Sequence, residues 1–386
     1  MKRPNQHVWI FFFIYFFFWM ASNTLEPYLG LFYEARGLSG TQIGFATTIF
    51  SLAAVLSSLI GGFLEDRIGR PSLVILLLAI GMIAATGVLF VSRNAAVIMC
   101  AVFCYGFFYS PVNGITDKAL LDELPSRQDR FARMRMGGTV GAGVGGIIAA
   151  FFVQDSSYLS VFFFFWLGML LCGICAWHMP KNDRSQSERV HWSDYRQLVG
   201  SPYFLPIYLT LAVWGFTESG VMQFLALYIT QADYPAEMTS VMIAVAMIGE
   251  MLGFGISSSL SRRLCHRHVL AAAFLLQTLR MTSLALLQFL PIYAVTFFQF
   301  LGGGAYALLY TTITTAIGTV YPNKISYSAH SLKLIANRGI GVSTGMLLLG
   351  TMFDRNLPVA GYSILSIAAC ASMVYYFLPV RSQRLL

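Results

Sequence analysis

Five charged side chains stand in stretches whose neighbours are otherwise mostly hydrocarbon, Glu26 in "SNTLEPYLGL", Glu218 in "AVWGFTESGVMQF", Glu250 in "AMIGEMLGFG", Arg280 in "LLQTLRMTSLALL" and Arg338 in "LIANRGIGVS"; two more, Asp117 in "SPVNGITDKAL" and Arg135 in "FARMRMGGTVG", stand where an apolar run ends or begins and are interfacial by hydropathy. An arginine presents a planar fork of donors suited to hydroxyls or a carboxylate. Carboxylates accept hydrogen bonds from a polyol, and a desolvated one can also take up and release a proton. None of this makes or breaks bonds in a substrate. The apolar stretches hold no Ser/His/Asp constellation, no HExxH motif and no pair of acids at catalytic spacing, so the chain is not read as an enzyme.

The elements that hold these charges follow from composition. Of 386 residues 57% are hydrophobic and only 11% charged, less than half the charged share of an ordinary soluble domain. Apolar runs of about 20 residues, enough to cross a bilayer, recur from end to end. They place helices at 8–33, 42–64, 71–92, 95–117, 133–153, 158–178, 202–230, 238–260, 268–288, 291–316, 328–352 and 359–379. This is an all-α polytopic membrane protein with twelve transmembrane helices. The run "VWIFFFIYFFFWM" continues into "ASNTLEPYLGLFY" without a cleavage signal and is read as a retained helix.

The net charge of +8 is not spread as a nucleic-acid surface would be. The N-terminus, the even-numbered loops and the C-terminus hold the basic clusters, among them Lys2, Arg3, Arg67, Arg70, Arg127, Arg130, Arg262, Arg263, Arg381 and Arg384, whereas the odd-numbered loops hold Arg36, Arg93 and Arg355. By the positive-inside rule both termini are cytoplasmic, in a multi-pass protein of a bacterial-type inner (cell) membrane. "CGIC" (Cys172, Cys175) lies in an apolar helix and reads as small packing residues, and "CHRH" (Cys265, His266, His268) lies in a basic loop without a second ligand cluster. No metal is expected.

The polar stretch "PKNDRSQSERVHWSDYRQLVGSP" divides the chain into an N-terminal six-helix bundle (1–179), a cytoplasmic linker (180–201) and a C-terminal six-helix bundle (202–386). The loop "FLEDRIGRPSLV" after the second helix and "SLSRRLCHRHVL" after the eighth occupy equivalent places, both short and basic. Parallel halves around a midplane site are a transporter arrangement.

"GFLEDRIGRP" (Gly62, Asp66, Arg67, Gly69, Arg70) resembles the signature of the major facilitator superfamily between its second and third helices. The resemblance implies that fold, two pseudo-symmetric six-helix bundles, with these residues as a cytoplasmic gate. The run from Asp117 to Gly141, with "IGEML" and "LRMTS", resembles more closely the lactose permease branch, which includes phenylpropionate-type permeases and works by proton symport. That resemblance implies that Asp117 and Arg135 form a substrate-binding charge pair. It further implies that Glu250 hydrogen-bonds the substrate, that Arg280 is the ninth-helix arginine, and that Glu218 and Arg338 form a structural ion pair.

Three positions depart from that branch. Its tenth-helix His and Glu are matched in "FQFLGGGAYALL" by Gly302 and Ala305, and its sugar-stacking aromatic by Ala142. The expectation is therefore a secondary active transporter, a proton-coupled symporter of a sugar, nucleoside or aromatic or organic acid, working by alternating access. Asp117, Arg135, Glu250, Asn113, Tyr28 and Trp214 would meet the substrate. Glu26, standing without an obvious partner, joins Glu250, Glu218 and Arg280 in proton coupling. A proton-coupled exporter of drugs or metabolites is the alternative. No cofactor is implied beyond the proton gradient. The partners are a small molecule, protons and the lipid bilayer, with no nucleic acid, and the chain is expected to be a monomer.

Overall fold

The computed structural model describes residues 8–68, 70–123, 128–153, 158–179, 198–321 and 332–378. Every regular element among them is a helix. The first six are α1 (Trp9–Ala35), α2 (Gly40–Ile68), α3 (Pro71–Val91), α4 (Ala95–Glu123), α5 (Gln128–Phe152) and α6 (Leu159–Trp177). Then follow α7 (Phe204–Glu218, resuming as Gln223–Gln231), α8 (Glu237–Arg263), α9 (His266–Ala285), α10 (Ile292–Val320), α11 (Ile335–Val342 and Ser343–Asp354) and α12 (Pro358–Phe377).

Ten of these are long and apolar enough to cross a membrane, and among the described residues α1, α7 and α11 change their winding along their length. Proline opens α3 and α12 at a first-turn position, where its missing N–H costs nothing. In α1 the same residue type acts as a breaker. Pro27 cannot donate to the preceding turn, and Glu26–Tyr28 winds as a 3-10 turn. In α7 the break falls at Ser219–Val221, and the Gly220 carbonyl accepts a 2.9 Å hydrogen bond from Tyr362 Oη. Ile335–Val342 of α11 is π-wound, a rare geometry that is frequent at functional sites.

The chain forms two compact units. The first comprises Met1–Leu38 and Ile49–Glu188, and the second Ser39–Thr48 and Arg189–Leu386. The boundary at 188/189 falls in the polar stretch, of which residues 180–197 lie outside the described set. Leu198 is fully buried among Ile207, Tyr208 and the rest of the second unit's core, so packing resumes before residue 201. The start of α2 belongs to the second unit because Asp354 caps it, accepting from Gly40 N at 2.5 Å and Thr41 N at 2.8 Å.

Within the first unit α1 packs on α5 and α6, and α3 on α4 and α6. Within the second, α7 packs on the π segment of α11, α8 on α10, and α9 on α10 and α12. The pairs α1/α5, α3/α4 and α3/α6 thus recur six helices later as α7/α11, α9/α10 and α9/α12. The break in the first helix of each unit recurs with them.

Lipid tails are as apolar as leucine, so close packing rather than water exclusion must hold such helices together. In α5 a Cβ at Gly137, Gly141 or Gly145 would come within 2.1–2.3 Å of the carbonyl oxygens of Phe12, Phe16 and Met20 of α1. Only glycine permits that approach, and these three glycines are packing contacts, whereas Gly143 and Gly146 have nothing within 4 Å of a Cβ position. The same packing sorts the aromatic run of α1. Phe11, Ile14, Tyr15 and Phe18 are each 1% exposed while Trp9 and Phe13 face outward, so the run is not uniformly lipid-facing.

Candidate functional site

Two polar clusters lie inside the helical units, one in each. In the first unit Arg135 on α5 forms an ion pair with Asp117 on α4. The Asp117 oxygen that takes this bond also accepts from the Tyr15 hydroxyl of α1, and the Arg135 guanidinium lies 5.5 Å from the Tyr15 ring centroid. The α5 glycines set the level of these groups by seating α5 against α1.

Helix ends read from hydropathy place Asp117 and Arg135 at the membrane boundary. In the structure both helices extend past those ends, α4 six residues beyond Asp117 and α5 seven residues before Arg135. Their side chains keep 33% and 42% of their surface exposed. They are paired but reachable.

Glu26 occupies the break in α1. Contrary to the expectation that it stands unpartnered, it accepts a 3.2 Å hydrogen bond from Tyr105 Oη of α4 and lies within electrostatic reach of Tyr33. Tyr105 in turn contacts Phe50, Tyr109 and Phe165 edge-on or tilted. Glu26 and Tyr15 are eleven residues apart on α1, three turns and nearly the same face. Tyr28 is buried at 1% exposure. Asn113 is half-buried one turn before Asp117 on α4.

In the second unit Glu218, at the break in α7, pairs with Arg280 of α9 at 3.3 Å. It does not pair with Arg338, the partner implied by resemblance; among the described residues no carboxylate lies within ion-pair distance of Arg338. The physical reason is at α10. A Cβ at Gly302 would stand 2.2 Å from Arg280 Cδ and 2.5 Å from its Nε. The missing side chain lets the arginine cross α10 and reach Glu218. Arg280 Nε also donates to Gln299 Oε1 at 2.7 Å, and Gln277 Nε2 donates to Glu218 and Thr217.

This pair is the more enclosed of the two, with side-chain exposures of 7% for Arg280 and 21% for Glu218. Gln277 Oε1 and Gln299 Nε2, one acceptor and one donor beside the pair, are buried without a hydrogen-bond partner. Glu250 lies within electrostatic reach of both Glu218 and Arg280. Its helix is held against α10 where a Cβ at Gly303 would stand 1.8 Å from the Ala246 carbonyl oxygen.

Trp214 is 1% exposed in the second unit's core, edge-on to Phe274 at 5.6 Å. That is a packing position. Of the gate residues, Arg70 is the exposed N-cap of α3. Gly69 and the side chains of Gly62, Asp66 and Arg67 lie outside the described set. Among the described residues no three His, Cys, Asp or Glu side chains converge as a metal site, and Cys172 and Cys175 are free thiols.

Sequence reasoning passes over Tyr15, Gln277 and Gln299. Tyr15 carries the lone hydroxyl in "FFFIYFFFW", and its i+11 spacing from Glu26 is the signal that marks it.

Residues 8–363 match the MFS_1 like family. The quinolone resistance protein NorA of Staphylococcus aureus (strain MRSA252) is 23% identical over 257 residues, 64% of this chain and 63% of NorA. This chain therefore aligns with somewhat less than two thirds of that relative's length. Multidrug resistance protein 2 of Bacillus subtilis (strain 168) is 24% identical over 379 residues, 88% of each chain. The crystal structure of the nucleoside transporter NupG superposes with a TM-score of 0.78 at 15% identity, covering 97% of this chain and 98% of that one, a likeness of fold.

Proposed function

This chain belongs to the MFS_1 like family, secondary transporters rather than enzymes, and from that premise we propose that it imports a small polar organic solute together with protons. The observation that carries the reading is the second unit's cluster. A charge pair sits with an unsatisfied amide acceptor and an unsatisfied amide donor beside it, and with a carboxylate, Glu250, in reach. Unsatisfied polar groups in a membrane interior are costly. A solute bearing hydroxyls or amides satisfies them, whereas a lipophilic drug does not.

Each cluster has a role in this reading. Arg135, Asp117 and Tyr15 offer donors and an acceptor to the solute, with Asn113 one turn away. Glu250 exchanges the proton, with Glu218 and Arg280 setting its electrostatic surroundings, and Glu26 is a second proton-carrying carboxylate. Alternation between states open to either side of the cell membrane, with both termini cytoplasmic, converts the proton gradient into accumulation. Proton coupling and the polar solute are what this chain would share with the lactose permease branch.

The test is a thermal-shift screen of the purified protein against sugars, nucleosides, organic acids and drugs. Ligand that binds the folded state stabilises it by mass action. A polar hit that Arg135→Ala abolishes supports the reading, and stabilisation by lipophilic cations alone overturns it.

One observation favours a second reading, proton-driven export. Curated relatives carry the names quinolone resistance and multidrug resistance protein, and Glu26 stands among Tyr105 and Tyr33, aromatic company that suits an organic cation. Loss of a cationic dye from loaded liposomes, driven by a proton gradient, separates export from import.

A further inference from the structure

One buried cation takes no part in either cluster. Lys333, two residues before the π segment of α11, is half-buried. Its Nζ donates to Thr314 Oγ1 at 3.2 Å and lies 4.9 Å from the Tyr310 ring centroid. Among the described residues no carboxylate lies within ion-pair distance of it. A cation in a membrane helix usually pairs with an anion. An ammonium has three donors, of which one is taken by Thr314 among the described residues.

The surroundings of Lys333 form a continuous stripe. Tyr310 stacks on Tyr306 at 5.8 Å and 28°, and Phe254 of α8 closes edge-on against Tyr310 at 6.2 Å. Tyr306 lies within electrostatic reach of Glu250, Glu218 and Arg338. Thus the stacked tyrosines carry Lys333 at one end and Glu250 with Arg338 at the other. Glu218 cancels Arg280. With Glu250 ionised the stripe holds one positive charge in excess, and with Glu250 protonated it holds two.

We propose that Lys333, Thr314 and Tyr310 form the binding point for an anionic group on the transported solute, a carboxylate or phosphate whose body lies along Tyr310 and Tyr306. The proposal rests on the transport reading above and narrows its solute to an organic anion. It also supplies a reason for coupling. Protonation of Glu250 leaves the excess positive charge that an anion neutralises, so anion and proton favour each other's binding. Arg338, which lacks the acidic partner expected of it, is the second cation of this site.

The experiment uses the full-length protein in phosphatidylcholine nanodiscs, with melting temperature and affinity measured for three acid and neutral pairs: gluconate and glucose, benzoate and benzamide, uridine monophosphate and uridine. The acid of at least one pair should stabilise the protein and its neutral partner should not. Lys333→Gln should weaken that acid about tenfold or more, the loss of a charge-assisted hydrogen bond, while Lys333→Arg stays within about threefold because the charge is kept.

Equal stabilisation by a neutral partner overturns the proposal, as does wild-type affinity in Lys333→Gln or no stabilisation by any acid. Stabilisation only when phosphatidylglycerol replaces phosphatidylcholine also overturns it, because Lys333 then holds a lipid headgroup. If Lys333→Gln does not fold, Tyr310→Leu serves instead. It keeps the charge and removes the ring, and unchanged acid affinity counts against the proposal.

The two readings fail separately. Gradient-driven uptake of a neutral solute, indifferent to Lys333→Gln, keeps the transport reading and removes this one. Acid binding that depends on Lys333, in a protein that moves nothing across a liposome, does the reverse.

Discussion

The two units carry the same helix pairings but treat their charges differently. In each, an acid stands at the break of the first helix: Glu26 in α1 and Glu218 in α7. Glu26 is met by a tyrosine hydroxyl from α4, Glu218 by an arginine from α9 that donates to Gln299 and by the amide of Gln277. The arginine of the first unit, Arg135, pairs elsewhere and remains 42% exposed, whereas Arg280 is only 7% exposed. A repeated scaffold can therefore hold one enclosed pair and one more accessible pair. Burial separates the two, since an uncompensated charge costs far more in the interior than at an exposed position.

The contrast breaks most sharply at Arg280. Arg280→Ala leaves Glu218 enclosed without its cation, and the expected loss of stability is about 3–5 kcal/mol, read as a fall in detergent-solubilised melting temperature along with loss of transport. Arg135→Ala should cost about 1 kcal/mol or less in stability yet still abolish solute binding. Equal destabilisation by the two variants would erase the distinction between the units.

Gly302→Ala comes next. The added methyl would enter the space of Arg280 Cδ and Nε, and overpacking of this kind costs about 1–3 kcal/mol. Thermal unfolding of the variant should show that loss, and Gly302→Ala combined with Arg280→Ala should be less destabilised than the sum of the two. Strict additivity would mean that Gly302 does not act through Arg280.

The smallest effects on transport are expected at the tyrosines. Tyr15→Phe and Tyr105→Phe each remove one hydrogen bond to a carboxylate, worth about 1.5–3 kcal/mol at most. In a thermal-shift comparison Tyr15→Phe should weaken solute binding because Asp117 loses a positioning donor. Tyr105→Phe should leave solute affinity intact and alter the proton dependence of uptake.

The twelve segments were legible in the sequence because the signal for a membrane helix is the apolar run itself, and that run is set by bilayer thickness. The breaks were only partly so. Pro27 announces the first, but "TESGV" gives α7 no proline, and its turn depends on a tertiary hydrogen bond from Tyr362 to Gly220. Glu26, Glu218, Glu250, Arg280 and Arg338 stood out by their cost in hydrocarbon, whereas Asp117 and Arg135 stood out by the family resemblance of their segment.

Partnership was harder to read, since it depends on which side chains are absent as much as on which are present. Nothing local to Glu218 or Arg338 shows that Gly302 opens a path for Arg280. Tyr15 was hidden by its company, because eight aromatic or aliphatic neighbours mask a single inward hydroxyl. Helix ends were misplaced around Asp117 and Arg135 because α4 and α5 run past the hydrocarbon, where hydropathy falls although the helix continues.

The central claim, that an enclosed carboxylate beside the Glu218–Arg280 pair couples protons to a polar solute, meets its most direct test in proteoliposomes carrying an imposed pH gradient. Initial uptake and equilibrium exchange of a labelled solute identified by thermal shift would be measured for the wild type and for Glu250→Gln. The account predicts that Glu250→Gln loses gradient-driven accumulation. Accumulation by Glu250→Gln that equals the wild type and depends fully on the proton gradient would contradict it.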